Sequence, residues 1–347
     1  MKIKVRFTDQ PFGFNPENNC YIRALQRRFE VELSDQPDFV FYSAFGTEFL
    51  KYSNSVRIFL ANEPVLPNFN DCDYAIGAAG LTFGDRYLQQ PPLTGYGEDP
   101  YWEHIDAPIP VDAFNRKFCN FVYSNAINGQ GAKLRIDFCR MLQNYRSVDC
   151  PGQVLHNMSK GIEQRYYSRA KDKPSDFNDD WAEAKLHFIR DYKFTIAFEN
   201  VSDSGWTTEK LIHPLMARSI PIYWGNPEAG RYFNRKAFIH CADYDNDFRA
   251  VIERVKELDQ DEDCYMEMLS QPRLTAEFPR NWERKLEDFL TEIVLRGKPF
   301  VKNPMGFETM GTHDYHTLCA EGKVGMRKIL KTTCEGMAGW MHYKLKK

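Results

Sequence analysis

The chain has 347 residues, of which 43% are hydrophobic and 27% charged, with a formal net charge of −3. That length exceeds the size at which one core usually keeps growing, so two domains are expected, and the near-neutral balance gives no broad attraction to nucleic acid. No run of about eighteen apolar residues is present, and the nine cysteines form no CxxC pair and no metal-ligand spacing, so they read as reduced thiols.

From the N-terminus, Ile3–Phe7 reads as a strand, Tyr21–Glu30 as a helix, and Asp38–Ser43 and Val56–Leu60 as further strands. Such alternation favours a mostly parallel sheet covered by helices, with the turn-rich loop from Gln10 to Asn19 at its ligand-facing edge. Val56–Leu60 runs into Ala61, Asn62 and Glu63, followed by Pro64 and Pro67. Glu63 thus lies just past a strand's carboxyl end on a proline-stiffened loop, where a catalytic carboxylate can be held rigidly. On position alone, a solvated loop glutamate is the alternative. Between Gln89 and Asn115 the pattern dissolves into prolines, glycines and aromatics. This marks a domain junction, with one domain at 1–115 and a second at 116–297. Tyr96, Tyr101, Trp102 and His104 are candidates to line an acceptor cleft.

The second half opens with a strand at Phe118–Ser124, then Gly129 and Gly131, then a helix from Lys133 to Tyr145. Glycines ahead of a helix N-terminus let backbone amides approach a phosphate. Arg135 falls on the flank of the apolar stripe formed by Leu134, Phe138, Met141, Leu142 and Tyr145. Asp176, Asp179 and Asp180 precede a helix at Trp181–Tyr192 and read as capping and solvation, not a divalent-metal site. Phe194–Phe198 is a buried strand, Glu199–Trp206 a loop, Thr207 or Thr208 a helix N-cap, and Ile220–Trp224 a second strand ending at Gly225. This βαβ unit puts its first loop at the carboxyl edge of the sheet, where such folds bind nucleotides. A strand at Phe238–His240 and helices near Phe248–Leu258, Asp261–Ser270 and Asn281–Leu295 follow. In the tail, 298–347, His313 and His316 have no third ligand in range. Lys323, Arg327, Lys328 and Lys331 are interleaved there with Val324, Met326, Ile329 and Leu330, as in a weak amphipathic membrane-surface segment or a solvated terminus.

The series FEN (Phe198–Asn200), an aromatic residue (Trp206), TEK (Thr208–Lys210) and PIYWG (Pro221–Gly225) resembles the donor-binding motif of the α-1,3-fucosyltransferases, glycosyltransferase family 10. The first half matches too, through Glu63, PNF at Pro67–Phe69, DYAIG at Asp73–Gly77 and DRYL at Asp85–Leu88. The resemblance implies an α/β enzyme of GT-B type, with two facing Rossmann-like domains and a cleft between them. Its reaction would be inverting transfer of L-fucose from GDP-β-L-fucose to a hydroxyl of an N-acetylglucosamine or glucose residue. The acceptor would be an N-acetyllactosamine-type, β-galactoside-containing oligosaccharide, and the product an α-1,3 or α-1,4 linkage of Lewis type.

The same resemblance carries the general base onto Glu63, the pyrophosphate cations onto Arg135 and Lys210, and hydroxyl contacts onto Asn200 and Glu209. Ser124, Asn125 and Trp206 join the donor site. No metal or cofactor is required, since GDP-fucose is a substrate. A bacterial, cytoplasmic form, peripheral at the inner membrane face through its tail, is expected. Two departures stand out: Trp206 where relatives usually carry tyrosine, and Pro214 inside the helix after Lys210. A GT-B enzyme using another nucleotide sugar and a non-catalytic carbohydrate-binding protein remain open as readings.

Overall fold

The computed structural model describes residues 1–91, 105–159, 161–162 and 177–297. Tyr96, Tyr101, Trp102, His104, Asp176, the His313–His316 cluster and the basic tail lie outside these residues. Two compact units are present, one holding 1–12 and 29–75, the other 13–28 and described residues of 76–295.

In the first half, strands β1 (Lys2–Thr8), β2 (Glu30–Leu33), β3 (Phe39–Tyr42), β4 (Val56–Leu60), β5 (Tyr74–Gly77) and β6 (Tyr87–Gln89) form one sheet in the order β2-β1-β3-β4-β5-β6. β1 pairs in parallel with β2 and β3, and β3 in parallel with β4. Every residue of β3 and β4 is buried, which is why neither shows the alternation of a half-exposed strand. Helix α1 (Cys20–Gln26) is capped by Asn19, whose side chain accepts from the Ile22 N–H. It is shorter than expected: by Glu30 the chain is already paired beside Lys2 in β2.

The second sheet holds β7 (Lys117–Asn120), β8 (Val148–Asp149), β9 (Tyr192–Phe198), β10 (Ile220–Trp224) and β11 (Ile239–His240), in the order β11-β10-β9-β7-β8. All its pairings are parallel. The same half of the chain forms α2 (Gln130–Gln143), α3 (Phe177–Ile189), α4 (Glu209–Met216), α5 (Phe248–Gln260), α6 (Glu262–Ser270) and α7 (Trp282–Arg296). From β7 the chain moves to β8 on one side, then places β9 on the other. The strand order therefore reverses between β7 and β9, and in open α/β sheets the ligand crevice lies outside the carboxyl ends at such a point.

All seven residues of β9 are buried. Phe194, Ile196 and Phe198 pack with Phe138 of α2 and Val251 of α5, while Ala197 joins Leu211, Ile212 and Leu215 of α4. The period of two thus serves two cores, one on each face. Lys193 is tolerated inside the strand because its Nζ lies 2.7 Å from Asp259 Oδ1 and 3.8 Å from the Phe114 ring centre.

Several boundaries differ from those expected from the sequence. The first strand of this sheet ends at Asn120, not Ser124; α2 starts at Gln130, not Lys133; and α3 runs from Phe177 to Ile189 rather than from Trp181 to Tyr192, so that Tyr192 opens β9. Asp179 and Asp180 fall inside α3. Pro214 leaves α4 helical through Met216, and the first turn, with Thr208 as N-cap, is intact. The seven described cysteines are free thiols, five of them buried. No helix among the described residues is long and apolar enough to cross a membrane.

Candidate active site

Glu199, the first residue past β9, is fully buried. Its Oε1 accepts from the Thr208 N–H at 2.8 Å and its Oε2 from the Thr208 hydroxyl at 2.7 Å. Gly225 makes room for it, since a Cβ there would lie 2.4 Å from Glu199 Cγ and 2.7 Å from the Tyr223 hydroxyl. Thr208 caps α4 by accepting from the Lys210 N–H, and its hydroxyl also accepts from Lys210 Nζ at 3.2 Å. The ammonium of Lys210 stands 3.1 Å from Glu209 and 3.5 Å from Glu199.

These charges tune one another. Burial pushes the Glu199 carboxyl up, and Lys210 only partly offsets it. Burial also acts on Glu209, yet Lys210, Lys185 and His213 outweigh it and hold that carboxyl below the usual range. For Lys210, burial is overcome by Glu199 and Glu209, so the ammonium is held above the ordinary lysine value. Its side chain keeps 17% of its surface exposed, so a persistent cation is presented at the helix N-terminus.

Arg135 is the second cation. The sequence pattern set it on a helix flank; the structure buries it completely. Its guanidinium lies 4.2 Å over the Tyr123 ring, and Nη1 donates to Asn200 Oδ1 at 2.9 Å. Nη2 donates to the Asn125 carbonyl, while Nε has no hydrogen-bond partner among the described residues. Burial lowers its pKa against support from Tyr123, Glu199 and Glu209, but a guanidinium stays protonated.

The glycines at the start of α2 admit a close backbone approach. Gly129 has φ +84, and a Cβ on it would meet the Asn200 carbonyl at 2.2 Å; one on Gly131 would meet the Glu199 carbonyl at 1.9 Å. They let the helix start press against the FEN backbone, and the Gly131 amide is spent on the Asn200 carbonyl at 2.9 Å.

The structure thus joins Asn125, Arg135 and Asn200 in one group and Glu199, Thr208, Glu209 and Lys210 in another, coupled through the field of Glu199 and Glu209 on Arg135. The Asn125 side chain is occupied in a turn, accepting from Ile127 and Asn128, and Ser124 is exposed. Trp206 is half-buried. Glu63, in the other unit, is exposed three residues past β4. Its neighbour Asn62 donates to Gln10 at 3.2 Å, and its carbonyl accepts from Val65 at 2.7 Å. Among the described residues, no group of three or more His, Cys, Asp or Glu could hold a metal ion.

Two residues of this cluster escaped the sequence reading. Glu199 was visible as the middle letter of FEN, a carboxylate at the end of an all-apolar strand, which is itself a signal for a buried charge with a partner. Lys185 on α3 is only 4% exposed, and burial pulls it down to about 8 despite Glu209 and Glu199.

Two α/β units, the second with a strand-order reversal between β7 and β9 and two cations, Arg135 and Lys210, held by the residues that follow β9, have a glycosyltransferase fold of the GT-B type. Family models match on both sides: the alpha-(1,3)-fucosyltransferase FucT N-terminal domain over residues 5–96 and the glycosyltransferase family 10 (fucosyltransferase) C-terminal region over 115–287. The chain belongs to glycosyltransferase family 10. It is 27% identical over 335 residues to the alpha-(1,3)-fucosyltransferase FucT of Helicobacter pylori, covering 84% of this chain and 65% of that protein. It is 30% identical over 230 residues to the putative fucosyltransferase R654 of Acanthamoeba polyphaga mimivirus, covering 65% of this chain and 35% of that one. The chain therefore spans less than two thirds of the length of either relative. The crystal structure of an alpha1,3-fucosyltransferase with GDP-fucose shares the fold, with a TM-score of 0.66 at 24% identity over 87% of this chain and 93% of that one.

Proposed function

We propose that this protein transfers L-fucose, with inversion, from GDP-β-L-fucose to a hydroxyl of an N-acetylglucosamine or glucose residue in a β-galactoside-containing glycan, making an α-1,3 or α-1,4 bond. The observation that carries the reading is Lys210, held charged by Glu199 and Glu209 at the N-terminus of α4. Such a cation, with the helix dipole behind it, suits a diphosphate leaving group.

Lys210 neutralises charge that builds on the β-phosphate as the glycosidic bond breaks, an electrostatic contribution aimed at the leaving group. Arg135 backs it and fixes Asn200. The Asn200 amide and Glu209 carboxylate bind donor hydroxyls, with Ser124, Asn125 and Trp206 at the edge of the donor site. Glu63 removes the proton of the acceptor hydroxyl as general base. No metal is required, so turnover persists in EDTA; complete, metal-reversible loss would refute this. An N-acetyllactosamine-type acceptor and a peripheral position at a membrane face complete the proposal.

Calorimetric titration tests the donor: GDP-fucose should bind far more tightly than UDP- or ADP-sugars. Equal affinities would favour another nucleotide sugar. Measuring GDP-fucose consumption over a panel of N-acetyllactosamine-type and type 1 acceptors then assigns the acceptor, and no turnover with tight binding would favour a carbohydrate-binding protein.

A further inference from the structure

The turn after β10 holds the loop of 199–208 at short intervals. The Glu199 N–H donates to the Trp224 carbonyl at 2.8 Å, the Ser202 hydroxyl to the Gly225 carbonyl at 2.7 Å, and the Ser204 hydroxyl to the Glu228 carboxylate. Asn226 stands at the centre of this turn and is 3% exposed. Its Oδ1 accepts from the Gly205 N–H at 3.1 Å and the Glu228 N–H at 2.8 Å, and its Nδ2 donates to the Thr207 hydroxyl at 3.0 Å. Its own backbone N–H donates to the Tyr223 hydroxyl at 3.0 Å. The carboxamide is satisfied on both sides, as a buried amide should be.

Gly205 and Thr207 are the residues on either side of Trp206. Gly205 has φ +86, a conformation that a side chain would strain, so the chain turns sharply just before the indole. Among the described residues no hydrogen bond or ring stacking holds the Trp206 side chain. One buried amide thus holds both of its neighbours, Gly205 through its backbone N–H and Thr207 through its hydroxyl, and the ring between them is half-buried.

We propose that Asn226 is a positioning residue for nucleotide-sugar binding: by fixing Gly205 and Thr207 it presents the Trp206 indole to the donor in one geometry. The inference rests on the donor-site reading given above. Its physical content is preorganisation. With Asn226 in place the loop is ordered on folding; without it, ordering is charged against binding, and affinity falls.

GDP is the probe, with affinity read by calorimetry and the Trp206 environment by the GDP-induced change in tryptophan fluorescence, Trp206→Phe supplying the baseline. Asn226→Ala should weaken GDP about tenfold and remove most of the Trp206-dependent signal. Thr207→Val, which keeps the shape and removes the hydroxyl that Asn226 Nδ2 and Tyr223 share, should weaken GDP a few-fold in the same direction. It also decides the matter if Asn226→Ala does not fold. Folded variants with wild-type GDP affinity and an unchanged Trp206 signal overturn the positioning role alone, provided Trp206→Phe itself alters both readouts. If Trp206→Phe alters neither, the placement of the donor at this loop falls, and the proposal with it.

Discussion

Glu199 and Thr208, nine residues apart, are joined by two hydrogen bonds, 2.8 Å from the backbone N–H and 2.7 Å from the hydroxyl. One buried carboxylate thereby closes the loop after β9, satisfies a free amide at the start of α4, and sets the turn from which Lys210 projects. The FEN and TEK motifs are two ends of a single contact.

Stability should register that contact first. Glu199→Ala removes the acceptor of both Thr208 donors and leaves Lys210 beside Glu209 alone. Breaking a buried charged contact from one side typically costs about 3 kcal/mol or more. Urea unfolding should show a loss of that order, and a loss under about 1 kcal/mol would mean that the buried pairing contributes little to holding the loop.

Lys210 and Arg135 should separate by experiment. Lys210 is partly exposed and Arg135 is not. Lys210→Ala should therefore weaken GDP binding about tenfold or more, since it removes a charge-assisted hydrogen bond to the ligand, and should lower the unfolding midpoint by less than Arg135→Ala does, since the cation that Glu199 and Glu209 lose is only partly buried. Arg135→Ala should lower both, because it also strips the Asn200 and Asn125 oxygens of their donor. Unchanged GDP affinity in both variants would place the donor elsewhere.

Glu63→Gln keeps the shape of the side chain and removes the base. Transfer should fall by about 10² to 10⁴ fold, the usual contribution of general-base catalysis, with GDP affinity unchanged. Activity within about threefold of wild type would sink the assignment.

What the sequence disclosed, and what it hid, follows from range of interaction. The unit β9–α4–β10 was legible nearly to the residue, because buried strands read as apolar runs and Thr208 is a strong N-cap. Strands β2, β5 and β6 were not, since three- or four-residue strands depend on neighbours distant in the chain. Gly129 and Gly131 were rightly seen as close-approach residues, but what approaches is the backbone of Glu199 and Asn200. The burial of Arg135 was hidden because its cover comes from Tyr123 and Asn200, on other elements, rather than from its own helix face.

Lys185 supplies a pH test. It is buried on α3, and the charged or titratable groups acting on it are Glu209 and Lys210, with His213 coupled to it, on α4, and Glu199 at the end of β9. Burial brings its pKa down to about 8 from the ordinary 10.5. Between those values the unfolded chain binds a proton that the folded chain lacks, so this group makes stability rise with pH across that window and costs stability below it. Relative to Lys185→Met, the wild-type protein should gain urea stability on going from about pH 7.5 to 9.5. The ligand works in the opposite sense. An anionic diphosphate over this cluster favours the protonated amine, so wild-type affinity for GDP should fall over the same interval while that of Lys185→Met stays nearly flat once the titration of GDP itself, common to both proteins, is subtracted. Parallel GDP-affinity curves for the two proteins would show that Lys185 does not sense the phosphate site, and parallel stability curves that its amine is not desolvated in the fold.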